Sequence, residues 1–130
     1  MEIDYIALFV SDVVRSQIFY RDVLGFSFDN PAKPDGTEGY SGKLKIGIYD
    51  RSWLPKLFGD RGKQMISGTP FLLSMTVDDL DLAYQQICDR PTNISVDIIS
   101  PPTLMPWGQR ILFLSDPDGN MLEIVQSRHN

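Results

Sequence analysis

The chain has 130 residues, 42% of them hydrophobic and 22% charged, with a formal net charge of −5. Those proportions fit one globular domain whose core is large enough to need neither a disulfide nor a structural metal. The acidic balance excludes a nucleic-acid partner or an anionic membrane surface, both of which are engaged through clustered Lys and Arg.

The chain opens Met1-Glu2-Ile3-Asp4, which is acidic and alternating, whereas an export signal starts basic and then turns apolar. No apolar run approaches the roughly 18 residues a bilayer demands, so the expected location is cytoplasmic. Ile3 to Val10 ends in the apolar run Ala7-Leu8-Phe9-Val10 and reads as a well-buried strand. Ser11-Asp12 supplies a helix N-cap, and Val14, Ile18, Phe19, Tyr20, Val23 and Leu24 follow at helical spacing up to Gly25. Phe26-Ser27-Phe28 reads as a short strand, and Asn30 to Gly36 is dense in turn formers. Tyr40, Leu44, Ile46 and Ile48 then alternate as strands do. Trp53, Leu54, Leu57, Phe58 and Met65 lie among glycines in a connection running from Arg51 to Gly68, which is long for a compact domain.

The second half repeats this order. Phe71 to Val77 reads as a strand, and Asp78-Asp79 caps a helix through Leu80, Ala83, Tyr84 and Ile87 that Pro91 stops. Cys88, the single cysteine, can form no internal disulfide. Val96 to Ser100 is a strand, Pro101 to Pro106 a loop, Ile111 to Leu114 a strand, and Asp116-Pro117-Asp118-Gly119-Asn120 a hairpin turn leading to a last strand, Met121 to Val125. His129, the only histidine, stands next to the C-terminus and outside the repeat.

The expected fold is therefore α+β: two βαβββ modules, about 1–50 and 70–130, joined by a linker over 51–69 within a single domain of 1–130. Each module forms a curved four-stranded sheet around a shared cavity, with its helix on the outer face. Val10-Ser11-Asp12-Val13 matches Val77-Asp78-Asp79-Leu80, and Ile46-Gly47-Ile48 matches Leu122-Glu123-Ile124.

The residues that carry this repeat also carry a resemblance. Ala7 to Asp12 with Phe19-Tyr20-Arg21-Asp22-Val23-Leu24-Gly25-Phe26, then Pro106-Trp107-Gly108-Gln109-Arg110, Phe113, Asp116 to Asn120 and Glu123, are similar to the glyoxalase/bleomycin-resistance/extradiol-dioxygenase (vicinal oxygen chelate) family. In that family's enzymes a divalent metal at the junction of the sheets binds vicinal oxygens of the substrate, held by His, Gln or Glu from the first and last strand of each module. Carried over position by position, the resemblance marks Tyr5, Gly47, Leu72 and Glu123. Only Glu123 is a metal-ligand type, and known catalytic sites take about three protein ligands.

The resemblance thus implies no cofactor and a metal-independent binding protein like the bleomycin-resistance members, sequestering a small aromatic or cationic organic molecule. Tyr5, Phe9, Tyr40, Ile48, Leu72, Met75, Met105 and Trp107 are the candidate walls of its pocket, and Gln109 and Glu123 the candidate polar groups. The alternative is an enzyme, a glyoxalase-like lyase or dioxygenase with an unusual all-oxygen set drawn from Glu2, Asp4, Glu38 and Glu123. A homodimer is expected, with Trp53 to Phe58 as its contact.

Overall fold

The computed structural model describes residues 3–64, 72–90 and 93–128. Residues 65–69 of the expected linker, Phe71, Pro91, His129 and Glu2 lie outside that set. The chain divides into two compact units, Met1–Ile66 and Ser67–Asn130.

In the first unit β1 (Tyr5–Val10), β2 (Gly36–Ser41) and β3 (Leu44–Asp50) form a sheet in the order β1-β3-β2, with β1 parallel and β2 antiparallel to β3. The two-residue strand period turns Leu8, Val10, Ile46 and Ile48 to one face, where all four are buried. That face is covered by α1 (Val13–Ile18), whose Gln17 donates to Thr37 Oγ1 at 3.1 Å; Thr37 stands opposite Ile48 in the ladder. The predicted cap is Asp12, whose carboxylate accepts from the Arg15 N–H at 3.0 Å. The helix continues as a single π-helical turn, Phe19–Val23. This wider turn lets two consecutive aromatics, Phe19 and Tyr20, both reach full burial, their ring centroids 5.2 Å apart. The connection contains two short helices, α2 (Trp53–Phe58) and α3 (Asp60–Lys63).

The second unit holds a four-stranded sheet, β4 (Leu73–Val77), β5 (Asp97–Leu104), β6 (Arg110–Ser115) and β7 (Met121–Gln126), in the order β4-β7-β6-β5. Leu112, Leu114, Leu122 and Ile124 are buried on one face. That face carries α4 (Leu80–Asp89): the Leu80 N–H donates to Oε1 of Gln126, which stands in phase with Leu122 and Ile124 on β7. Asp79 caps this helix by accepting from the Leu82 N–H at 3.0 Å, as Asp12 caps the first. The hairpin predicted at Asp116–Asn120 is present, with Gly119 at φ 83° and the Asp116 N–H donating to Asn120 O at 3.0 Å.

The α+β class and the internal repeat are therefore as expected. The repeat extends to register: three residues before the end of β1, Ala7 pairs with Gly47, and three before the end of β4, Ser74 pairs with Glu123. Beyond the last strands, Arg51 N–H donates to Val10 O and Ser127 N–H to Val77 O.

Two expectations are corrected. The first sheet has three strands, because Phe26-Ser27-Phe28 contributes only one bridge, Ser27 to Tyr40. The chain leaves the helix at Gly25 and meets Asn30-Pro31 too soon to extend the pairing. Pro101 and Pro102, expected in a loop, lie inside β5. They are accommodated because β5 is an edge strand whose register shifts between Ile98 and Ser100 and again before Thr103.

Replacing either cap, Asp12→Ala or Asp79→Ala, is expected to lower stability by about 1 kcal/mol, read from the midpoint of urea unfolding.

Candidate functional site

The opposite face of the first sheet is the one away from α1, and the strand period assembles its residues. Tyr5 stands opposite Lys45, Ala7 opposite Gly47 and Phe9 opposite Tyr49 across β1–β3. Across β2–β3, Tyr40 stands opposite Lys45 and Glu38 opposite Gly47. Three expected wall residues, Tyr5, Phe9 and Tyr40, thus share one face, and Tyr40 is exposed, whereas Ile48, also expected there, is turned by the strand period to the helix side and fully buried.

The centre of this face is a hydrogen-bonded cluster. Tyr5 Oη donates to Glu38 Oε2 at 2.9 Å and lies 2.5 Å from Tyr49 Oη. Tyr49 Oη reaches the same carboxylate oxygen at 3.2 Å, and Lys45 Nζ lies 3.5 Å from Glu38 Oε1. Gly47 makes the arrangement sterically feasible, since a Cβ there would fall 2.0 Å from Tyr5 Oη and 2.5 Å from Tyr49 Cε2. Phe9 extends the aromatic surface, its ring centroid 6.2 Å from those of both Tyr49 and Phe58.

The charges follow from the contacts. The hydrogen bond from Tyr5, aided by Lys45, holds the Glu38 carboxyl below the ordinary carboxylate range. Burial, then the hydrogen bonds with Tyr49 and Glu38, push the Tyr5 phenol above the ordinary tyrosine range. Glu38 is anionic and Tyr5 neutral at neutral pH, so Tyr5 serves as a donor and not as a base.

The remaining predicted residues lie in the second unit. Trp107 and Gln109 meet in the β5–β6 turn, where the indole N–H donates to Gln109 Oε1 at 2.9 Å and Trp107 is 61% exposed. Glu123 stands on the face of β7 away from α4, between Ser74 and Phe113 in the ladder, and makes no hydrogen bond or ion pair among the described residues. Leu72 is exposed and precedes β4, so it is not a strand position.

The positions that the resemblance marks do not suit a divalent metal. Tyr5 is engaged with Glu38 and Tyr49, Gly47 has no side chain and its space is filled by the Tyr5 hydroxyl, Leu72 is aliphatic, and Glu123 alone is a ligand type. Within neither unit do three His, Cys, Asp or Glu side chains converge among the described residues. Sequence reasoning considered Glu38 only as an oxygen ligand and overlooked Tyr49, Lys45 and the gap at Gly47. The usable signal was the alternation Lys45-Gly47-Tyr49 facing Gly36-Glu38-Tyr40.

A family model described as the Glyoxalase/Bleomycin resistance protein/Dioxygenase superfamily matches residues 2–124. The chain is 26% identical over 140 residues to the uncharacterised protein YraH of Bacillus subtilis strain 168, covering 97% of this chain and 98% of that one. A crystal structure of a member of the same superfamily from Sphaerobacter thermophilus is similar with a TM-score of 0.72 at 28% identity, covering 98% of each chain. A family enzyme from Burkholderia phytofirmans has the same fold, with a TM-score of 0.79 at 24% identity over 97% of this chain and 98% of that one. Among the described residues no helix is long and apolar enough to cross a membrane.

Gly47→Ala is expected to expel the Tyr5 hydroxyl and destabilise the protein by about 1–3 kcal/mol in chemical unfolding. Tyr5→Phe should raise the Glu38 pKa, followed by carboxyl carbon NMR. Because the folded-state pKa of Glu38 is lowered, its contribution to stability is present above the ordinary carboxylate range and disappears as pH falls through the folded value. The Tyr5 contribution has the opposite sign: it is present below the ordinary tyrosine range and lost as pH rises beyond it. Unfolding midpoints measured against pH should show both flanks in the native protein and weaker ones in Tyr5→Phe.

Proposed function

The chain belongs to the glyoxalase/bleomycin resistance protein/dioxygenase superfamily, and on that premise we propose that it is a metal-independent binding protein that sequesters a small aromatic or cationic organic molecule. The observation that carries this reading is Gly47. Where the family's enzymes place a metal ligand, this chain has no side chain, and the Tyr5 hydroxyl occupies the space. The result is an aromatic surface around a carboxylate, which stacks planar rings and attracts positive charge, in place of a coordination shell.

The proposed contacts are, in the first unit taken by itself, Tyr5 and Tyr40, and in the second unit taken by itself, Leu72, Trp107, Gln109 and Glu123. Trp107 is well suited to a ring contact, because its indole is exposed while its N–H is satisfied by Gln109. Glu123 is suited to a cation, since no side chain among the described residues is paired with it. We further propose a homodimer formed through α2, where Leu57 and Phe58 are exposed apolar side chains on one short helix.

Elemental analysis combined with thermal unfolding tests the reading. Protein purified without chelator is expected to hold no stoichiometric metal. Its unfolding midpoint is expected to rise with bleomycin-type or other planar cationic compounds whether or not chelator is present. Stoichiometric zinc, nickel, iron or manganese that is lost on Glu123→Ala, together with turnover of a hemithioacetal or a catechol, would establish the lyase or dioxygenase alternative. Sedimentation equilibrium is expected to give a dimer that Phe58→Glu converts to a monomer.

A further inference from the structure

The first unit contains a cavity of about 350 Å³ beside the hydrogen-bonded cluster, within the size range of small-molecule sites. Glu38, Tyr49 and Thr37 line it from the sheet, Lys33 and Asp35 from the preceding loop, and Trp53 from α2. None of these residues belongs to the pocket expected from the sequence.

The lining is specific in its chemistry. Two aromatic side chains supply flat surface, and two carboxylates stand against one ammonium, leaving one negative charge to be neutralised by an occupant. Glu38 is fixed rather than floppy: its Oε2 takes hydrogen bonds from both Tyr5 and Tyr49. Its other oxygen has only a loose partner, Lys45 Nζ at 3.5 Å, and both side chains of that pair are more than 40% exposed. An exposed pair of this kind contributes little, so a ligand cation can take its place. The Asp35 carboxylate makes no hydrogen bond or ion pair among the described residues, while its backbone is held by the Asp50 N–H donating to Asp35 O at 3.1 Å. Trp53 already attracts a cation, the Lys56 ammonium lying 5.0 Å from its ring centroid. The low pKa of Glu38 keeps the anion present well into mildly acidic solution.

The geometry points to this cavity as the binding site for a small organic ammonium bearing a planar ring, with Glu38 as the carboxylate that receives the charge and Tyr49 and Trp53 as the ring contacts. The inference rests on the reading of the protein as a container and adds Glu38 as a cation-receiving group within the first unit.

The test uses the full chain with three probes of one shape: 2-phenylethylamine as the cation, 2-phenylethanol as the neutral analogue and phenylacetate as the anion. Binding is followed by calorimetry and by tryptophan emission under selective excitation. The amine is expected to bind, and the alcohol and the carboxylate to bind at least about tenfold more weakly, the scale of one charge-assisted hydrogen bond. Glu38→Gln should weaken the amine by about the same factor, while Asp89→Asn, an exposed carboxylate of the second unit, leaves it unchanged. Because the chain has two tryptophans, Trp53→Phe removes the reporter that lines this cavity, and quenching by the amine should be lost.

Amine binding that survives Glu38→Gln, or quenching that survives Trp53→Phe, would overturn this site and leave the container reading standing. Equal affinity for all three probes, or binding of none, would also overturn it. The container reading itself falls only to stoichiometric metal and turnover. Should Glu38→Gln unfold, Asp35→Asn gives the same discrimination, expected to weaken the amine and not the alcohol, while Trp53→Phe is expected to weaken both.

Discussion

A missing side chain at one strand position governs the open face of the first unit. Gly47 sits at the centre of its sheet, with Ala7 on one side and Glu38 on the other. Any Cβ there would collide with the Tyr5 hydroxyl. Because the space is open, the Tyr5 phenol crosses the sheet and reaches both Tyr49 and Glu38. Two consequences follow. A carboxylate is held in place by neutral donors and stays charged without a tightly bound counter-ion. The position that could have presented a metal ligand is filled by an aromatic alcohol. The same vacancy therefore gathers aromatic rings around a carboxylate and leaves no side chain at that strand position.

The rest of the unit supports that face from behind. The helix side of the sheet is fully apolar at Leu8, Val10, Ile46 and Ile48, and the π-helical turn adds two buried aromatic rings. Close packing there holds the strands in register, and a slip of one residue would carry Tyr5 and Tyr49 to the wrong face. The second unit has the same frame with different equipment. Ser74 and Glu123 replace Ala7 and Gly47 in the equivalent pair. That exchange puts a carboxylate directly on the sheet, whereas in the first unit the carboxylate stands on the neighbouring strand. One architecture thus carries two unlike open faces, in keeping with the rule that function resides in a site and not in a fold.

Much of this frame was legible in the residues. The caps at Asp12 and Asp79, the hairpin at Asp116–Asn120, the apolar phase of each strand and the family resemblance all depend on neighbours a few positions apart. The shortened fourth strand at Ser27 and the prolines within β5 were not legible. Each depends on where a strand lies in its sheet: an edge tolerates a missing N–H that a centre does not. Among the candidate site residues, Trp107 and Gln109 are brought together, Tyr5 and Tyr40 share a face, and Leu72 falls outside its strand.

By itself the sequence determined the helix caps, the twofold repeat and the class of fold, because hydrophobic period and capping act over one or two turns of chain. Tertiary structure alone decided that Glu38 and Tyr49 join Tyr5. Those residues are separated by 33 and 44 positions from Tyr5, and no local pattern encodes their meeting. It arises from the pairing of three strands in one register, over a glycine whose role is to leave room.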